Sequence, residues 1–148
     1  MEDWLLAGGK KYALSSRRHP GVYYPDGPRF QTAFAPFPCP SFTYEAGGFR
    51  VTRELMLLQG RNVLLIRYTL ARTARKGPSS ASLQVAPLLA FRSFHSLTHK
   101  NDALCGSISP ACSGFSIHPY KELPPLTFQS DGNFTFVSSP LWIERVEY

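Results

Sequence analysis

Proline and glycine recur so closely along this chain, thirteen and eleven times in 148 residues, that a long helix has almost nowhere to run. Proline removes a backbone donor and fixes φ, while glycine supplies the positive φ that tight turns require. Dense use of both favours short strands joined by turns. Three glycine-centred turns organise the pattern. Leu5-Leu6-Ala7 and Tyr12-Ala13-Leu14 flank Gly8-Gly9; Phe42-Thr43-Tyr44 and Phe49-Arg50-Val51 flank Gly47-Gly48; Leu126-Thr127-Phe128 and Phe134-Thr135-Phe136 flank Asp131-Gly132. Each reads as a β-hairpin.

Alternation is strongest between Phe49 and Phe91. Phe49, Val51, Leu55 and Leu57 share one face of a first strand, Leu64, Ile66, Tyr68 and Leu70 one face of a second, and Leu83, Val85, Leu89 and Phe91 one face of a third. Period-two spacing of this kind predicts a meander with one face on a core. Val63, Leu65 and Leu88 add apolar residues to the opposite face, which implies a second layer. Gln59 to Arg61 is expected to form the tight turn between the first two strands. Pro87 cannot donate to a ladder, so its strand is expected at an edge or bulged there. From Ser93 to Pro125 the alternation fails and His, Asn, Asp, Ser and Pro accumulate, which predicts a long connection. Trp142, Val146 and Tyr148 alternate against Leu141 and Ile143 in an expected last strand.

A hydrophobic fraction of 43% with 14% aromatics suffices for one core of ordinary size. No apolar run approaches the roughly 18 residues of a membrane span, and the Met-Glu-Asp-Trp start lacks the basic and apolar regions of a signal peptide. The expectation is a cytoplasmic chain with no membrane partner. Cys39, Cys105 and Cys112 are too few for a disulfide framework and read as reduced thiols. The net charge of +6 is scattered in pairs such as Lys10-Lys11, Arg17-Arg18 and Arg75-Lys76, which reads as a solvated surface rather than a nucleic-acid footprint.

The richest polar cluster runs from Arg92 through His95, Thr98, His99 and Asn101 to Asp102, and it offers donors, acceptors and two imidazoles to a hydroxyl-rich ligand. The plainer alternative is that the same groups cap turns of their own loop. Tyr23, Tyr24 and Phe94 fall outside the clean alternation and are the better candidates for stacking on sugar rings; Phe49, Tyr68, Phe91, Phe128 and Phe134 are expected inside. His95, His99, Cys105 and Cys112 make a poor zinc set, because no Cys-x-x-Cys is present. No nucleophile elbow and no phosphate-binding glycine loop occur, and the few carboxylates sit beside basic neighbours, so no catalytic residue, metal or cofactor is assigned.

Three segments carry a likeness: Gly9-Lys10-Lys11-Tyr12-Ala13-Leu14-Ser15 with His19-Pro20-Gly21; Pro38 to Gly48 with Phe42-Thr43-Tyr44-Glu45; and Pro87-Leu88-Leu89-Ala90-Phe91-Arg92 continuing through His95-Ser96-Leu97-Thr98-His99. Together they resemble the N-terminal domain of prokaryotic glycogen debranching enzymes of the amylo-α-1,6-glucosidase type, over most of the chain. The resemblance implies an all-β, antiparallel β super-sandwich, like those of galactose mutarotase and of the domain preceding the glucoamylase barrel. It implies a non-catalytic partner for an (α/α)6 barrel that holds the catalytic acids, in an enzyme acting on glycogen or a related α-glucan. It also leads us to expect an incomplete domain spanning 1–148, since the family's earlier Asn-Thr-Arg-x-Tyr-His-Gly segment is missing and the chain stops at Tyr148. Missing strands would expose an edge and part of the core, so marginal stability or self-association is expected. Two other classes stay open: a freestanding carbohydrate-binding β-sandwich, and a basic nucleic-acid-binding β domain.

Overall fold

The computed structural model describes every residue except Phe94 and Tyr148. In chain order the strands are β1 (Glu2–Ala7), β2 (Lys10–Ala13), β3 (Arg17–His19), β4 (Val22–Tyr24), β5 (Gln31–Ala35), β6 (Ser41–Ala46), β7 (Phe49–Leu57), β8 (Leu64–Arg72), β9 (Ala81–Ala86), β10 (Ile108–Ala111), β11 (Gly114–Ile117) and β12 (Leu126–Gln129), with a 3-10 turn at Pro28–Phe30. Among the described residues there is no α-helix and every strand pairing is antiparallel, so the expected all-β class holds. The chain forms two compact units, one of residues 1–88 with the chain end from Arg145, the other Leu89–Glu144.

The first unit is a two-layer sandwich. One layer has the order β2-β1-β9, the other β5-β6-β7-β8, and the β3-β4 hairpin stands beside them. The layers meet through Leu5, Ala7 and Leu14 from one side and Tyr44, Ala46, Phe49 and Val51 from the other, with Phe42, Tyr68 and Leu83 packed around them. Alternate residues of a strand share a face, which is why Leu5 with Ala7, and Phe49 with Val51, arrive together. The Gly8-Gly9 and Gly47-Gly48 turns join the strand pairs as expected. At Gly47, φ is +57°, and a Cβ there would approach the Tyr12 ring to 2.8 Å and the Ala7 methyl to 3.1 Å, so close packing as well as backbone sense calls for glycine.

The meander is right for two strands and wrong for the third. β7 and β8 pair over their full length, from Phe49↔Arg72 to Leu57↔Leu64, but β9 crosses to the other layer and pairs with β1, Leu5 facing Leu83. β9 stops at Ala86, before Pro87, and lies at a sheet edge, as that proline requires. Leu89 and Phe91 are therefore not in its strand. The β7-β8 connection is also longer than Gln59 to Arg61: Leu58 donates its N–H to the Val63 carbonyl at 3.0 Å, and Gly60 turns at φ +74°.

In the second unit β10, β11 and β12 form a small sheet in that order. This corrects the expectation of an irregular connection up to Pro125, because strands of four residues are too short to leave a legible alternation. It also corrects the third hairpin. β12 pairs with β11, placing Phe115 against Phe128 at 4.8 Å, while residues 130–147 form no strand. The Phe134–Phe136 segment instead lays Phe136 against Phe115 at 4.1 Å and leaves Phe134 exposed. The expected last strand is likewise absent over 141–147, with Tyr148 outside the described residues; the chain end is tied down by an Arg18–Glu147 ion pair of 2.8 Å and by the Glu147 N–H on the Arg18 carbonyl.

Candidate functional site

The polar segment from Arg92 to Asp102 lies in the second unit and is braced largely by itself. The Arg92 guanidinium donates to the carbonyls of Ser93 (3.0 Å) and Ser96 (2.6 Å), and the Ser96 N–H closes a turn onto the Ser93 carbonyl at 3.1 Å. The Thr98 hydroxyl donates to the Ala90 carbonyl at 3.1 Å. Asn101 accepts the Ala103 N–H at 3.2 Å in an Asx turn and donates to the His99 carbonyl and the Tyr120 hydroxyl. These are the turn-building roles that short polar side chains take when their own backbone needs partners. The expected groups thus divide. Arg92, Thr98 and Asn101 hold the loop together, whereas His95, His99 and Asp102 are exposed on it.

The stacking candidates are on the other unit. Tyr23 and Tyr24 sit on β4, 66% and 58% exposed. Phe94 lies outside the described residues. The polar loop residues share one segment and the two tyrosines another, in separate units, and as consecutive strand residues Tyr23 and Tyr24 point to opposite faces of β4.

A third cluster, which the reading of the sequence passed over, lies inside the first unit. Asp3 is wholly buried and its carboxylate accepts from the Arg53 guanidinium at 2.5 Å; Arg53 also donates to the Tyr44 hydroxyl at 3.2 Å and lies over the Phe42 ring at 4.8 Å. The Tyr68 hydroxyl donates to Met1 Sδ at 3.1 Å, and Glu2, the neighbour of Asp3 in the chain, pairs with Arg17. Burial would lower the Arg53 pKa, but the hydrogen bond to Asp3 and its charge outweigh that and raise it. Burial pushes the Tyr44 phenol up, and pushes Tyr68 much further up, there reinforced by the Asp3 charge. A cleft of about 440 Å³ opens beside this cluster, with Ser15, Ser16, Gln31, Phe42, Tyr44 and Arg53 in its wall.

The sequence did carry a signal for it. On β7 the inward set is Phe49, Val51, Arg53 and Leu55, so a guanidinium fills one step of an apolar alternation, while Leu57 at the strand end, expected on the same face, is 74% exposed; on β1, Asp3, Leu5 and Ala7 are the buried residues. A charge on the inward face of each of two packed layers points to a buried pair. Chemically the arrangement is a structural ion pair. Asp3 Oδ1 and Arg53 Nε find no hydrogen-bond partner.

Compared with known families, the whole chain, residues 1–148, matches the family model described as glycogen debranching enzyme N terminal. The curated proteins and the solved structures return no match.

Proposed function

Since this chain belongs to the glycogen debranching enzyme N-terminal family, we propose that it is the non-catalytic β domain of a cytoplasmic glycogen debranching enzyme that hydrolyses α-1,6-glucosidic branch points. In this reading it packs on a catalytic (α/α)6 barrel, and the Arg92 to Asp102 loop faces that barrel and helps shape the glucan site. The observation that carries it is the match over the whole chain, together with a loop that spends Arg92, Thr98 and Asn101 on its own shape and turns His95, His99 and Asp102 outward. A loop so braced holds its exposed polar groups in a defined arrangement, which is what positioning a sugar hydroxyl or an interdomain contact requires.

Replacing His95 and His99 by Ala in a full-length debranching enzyme that contains this domain tests the loop. We expect a raised KM for branched glucan, by about tenfold, with the melting temperature unchanged. Unchanged activity and glycogen affinity would remove the loop from the glucan site.

The exposure of Tyr23 and Tyr24 favours one further reading, a carbohydrate-binding module that works on its own. Retardation of this chain in a glycogen-containing native gel, relieved by Tyr23→Ala and Tyr24→Ala, is the result it requires. Arg17, Arg18, Arg29, Arg50, Arg53 and Arg67 are each paired with a carboxylate, which supports a glucan over a nucleic acid as the partner.

A further inference from the structure

β8 is the outer strand of the β5-β6-β7-β8 layer: β7 is paired along one side of it and, among the described residues, no strand along the other. It is nine residues long, without proline or bulge, and leaves Leu64 54%, Leu65 49% and Leu70 37% exposed. Folded proteins usually blunt such an edge with a short strand, a proline, a bulge or a covering loop.

The hydrogen-bond phase of the hairpin fixes what the edge offers. Leu58 N–H bonds the Val63 carbonyl at one end and Thr73 N–H bonds the Gly48 carbonyl at the other, in one unbroken register. Backbone groups of a strand point alternately to its two sides. Residues 65, 67, 69 and 71 therefore spend theirs on β7, and Leu64, Ile66, Tyr68, Leu70 and Arg72 direct theirs to the free edge.

We propose that β8 is a self-pairing edge that joins two copies of this chain, antiparallel about a two-fold axis at Tyr68. In this register each free-edge residue meets another: Leu64 faces Arg72 of the second copy, Ile66 faces Leu70, and Tyr68 faces Tyr68. Their backbone groups are then satisfied along the full strand. On the opposite face Leu65 lies against Ala71, and Arg67 against Thr69. The charges permit it. Each Arg67 is drawn toward its own Glu54, at 2.7 and 2.9 Å, which offsets part of its charge and leaves the rest to act across the seam. Moving the axis to residue 67 would set Arg67 opposite Arg67, which like-charge repulsion disfavours. The second copy is thus selected by the length, hydrogen-bond phase and charge pattern of β8 itself, and the pairing would cover Leu65 and Leu70.

The test is sedimentation velocity of the whole chain over a concentration series, with reductant present so that Cys105 and Cys112 cannot cross-link. The expected result is a concentration-dependent species of twice the 16.5 kDa chain mass. Thr69→Arg places a cation opposite Arg67 twice per dimer and is expected to weaken dimerisation about tenfold, and Thr69→Glu to strengthen it by a similar factor. Thr69 is exposed, so both variants keep the fold, checked by circular dichroism. Ile66→Pro deletes a free-edge donor without touching the β7 ladder and is expected to abolish the dimer. A chain that stays monomeric at high concentration overturns the proposal, as does a dimer indifferent to the two Thr69 variants.

Discussion

Arg53 and Asp3 set the strongest test at the scale of single residues. Breaking a buried ion pair strands the surviving charge, whereas replacing both partners with apolar groups is often neutral or better. Asp3→Ala is expected to cost roughly 3–5 kcal/mol in urea unfolding, because Arg53 would stay buried with only Tyr44 to bond. The double change Asp3→Leu with Arg53→Met is expected to recover most of that loss, since Asp3 Oδ1 and Arg53 Nε are unsatisfied even in the intact pair. A double variant as unstable as the single one would mean that the pair itself, not its desolvation, holds the layers. Tyr68 adds a pH dependence with a definite sign. Its folded pKa lies far above the ordinary value of about 10 because burial, then the Asp3 charge, penalise the phenolate. The unfolded chain therefore loses the proton first, and stability is full below about pH 10 and falls as pH rises beyond it. Chemical denaturation from pH 8 to 11 is expected to show that fall, reduced in Tyr68→Phe; an equal fall in both would assign it elsewhere. Little of this cluster was legible in advance, since an alternation scored only for apolar residues skips the polar step that Arg53 occupies.

Among the elements, what the sequence revealed depended on how much of the controlling physics was local. The Gly8-Gly9 and Gly47-Gly48 hairpins need only positive φ and flanking β-formers, both written within a dozen residues, and both formed. The Asp131-Gly132 turn has the same local signature and forms no hairpin: Phe136 packs on the Phe115 ring, itself stacked on Phe128, instead of the segment extending along the open side of β12, a contact the turn residues do not encode. β9 shows the same limit: its alternation was visible, but its choice of β1 over β8 is a long-range pairing that periodicity does not encode. Local turn chemistry can still be tested alone. Gly47→Ala forces a Cβ into both a positive φ and the Tyr12 ring, so a loss of about 1–3 kcal/mol is expected in thermal unfolding. Gly9→Ala meets no neighbouring atom and carries only the backbone strain of its φ of +73°, so its loss should be smaller. Equal losses would show that packing at Gly47 contributes nothing.

For the molecule as a whole, the consequence lies in how unevenly the core is shared. The buried hydrophobic side chains Leu5, Ala7, Ala13, Leu14, Tyr44, Ala46, Phe49 and Val51 all belong to the first unit. The second unit has three strands of four residues around the Phe115, Phe128 and Phe136 rings, with Phe115 and Phe128 only half-buried. A small sheet with so little apolar burial is of marginal stability by itself. Local opening takes its free energy from the contacts it breaks, so the units should open separately and at different cost. Hydrogen exchange followed residue by residue is expected to give the amides of β6 and β7 the highest protection, near that of global unfolding. Amides of β10, β11 and β12 should exchange through openings of distinctly lower free energy. The difference should persist when the first unit is destabilised by Asp3→Ala, because the second unit's openings do not pass through the Arg53 pair. Uniform protection across both sheets, or a parallel drop in both on that substitution, would mean that the two units unfold as one.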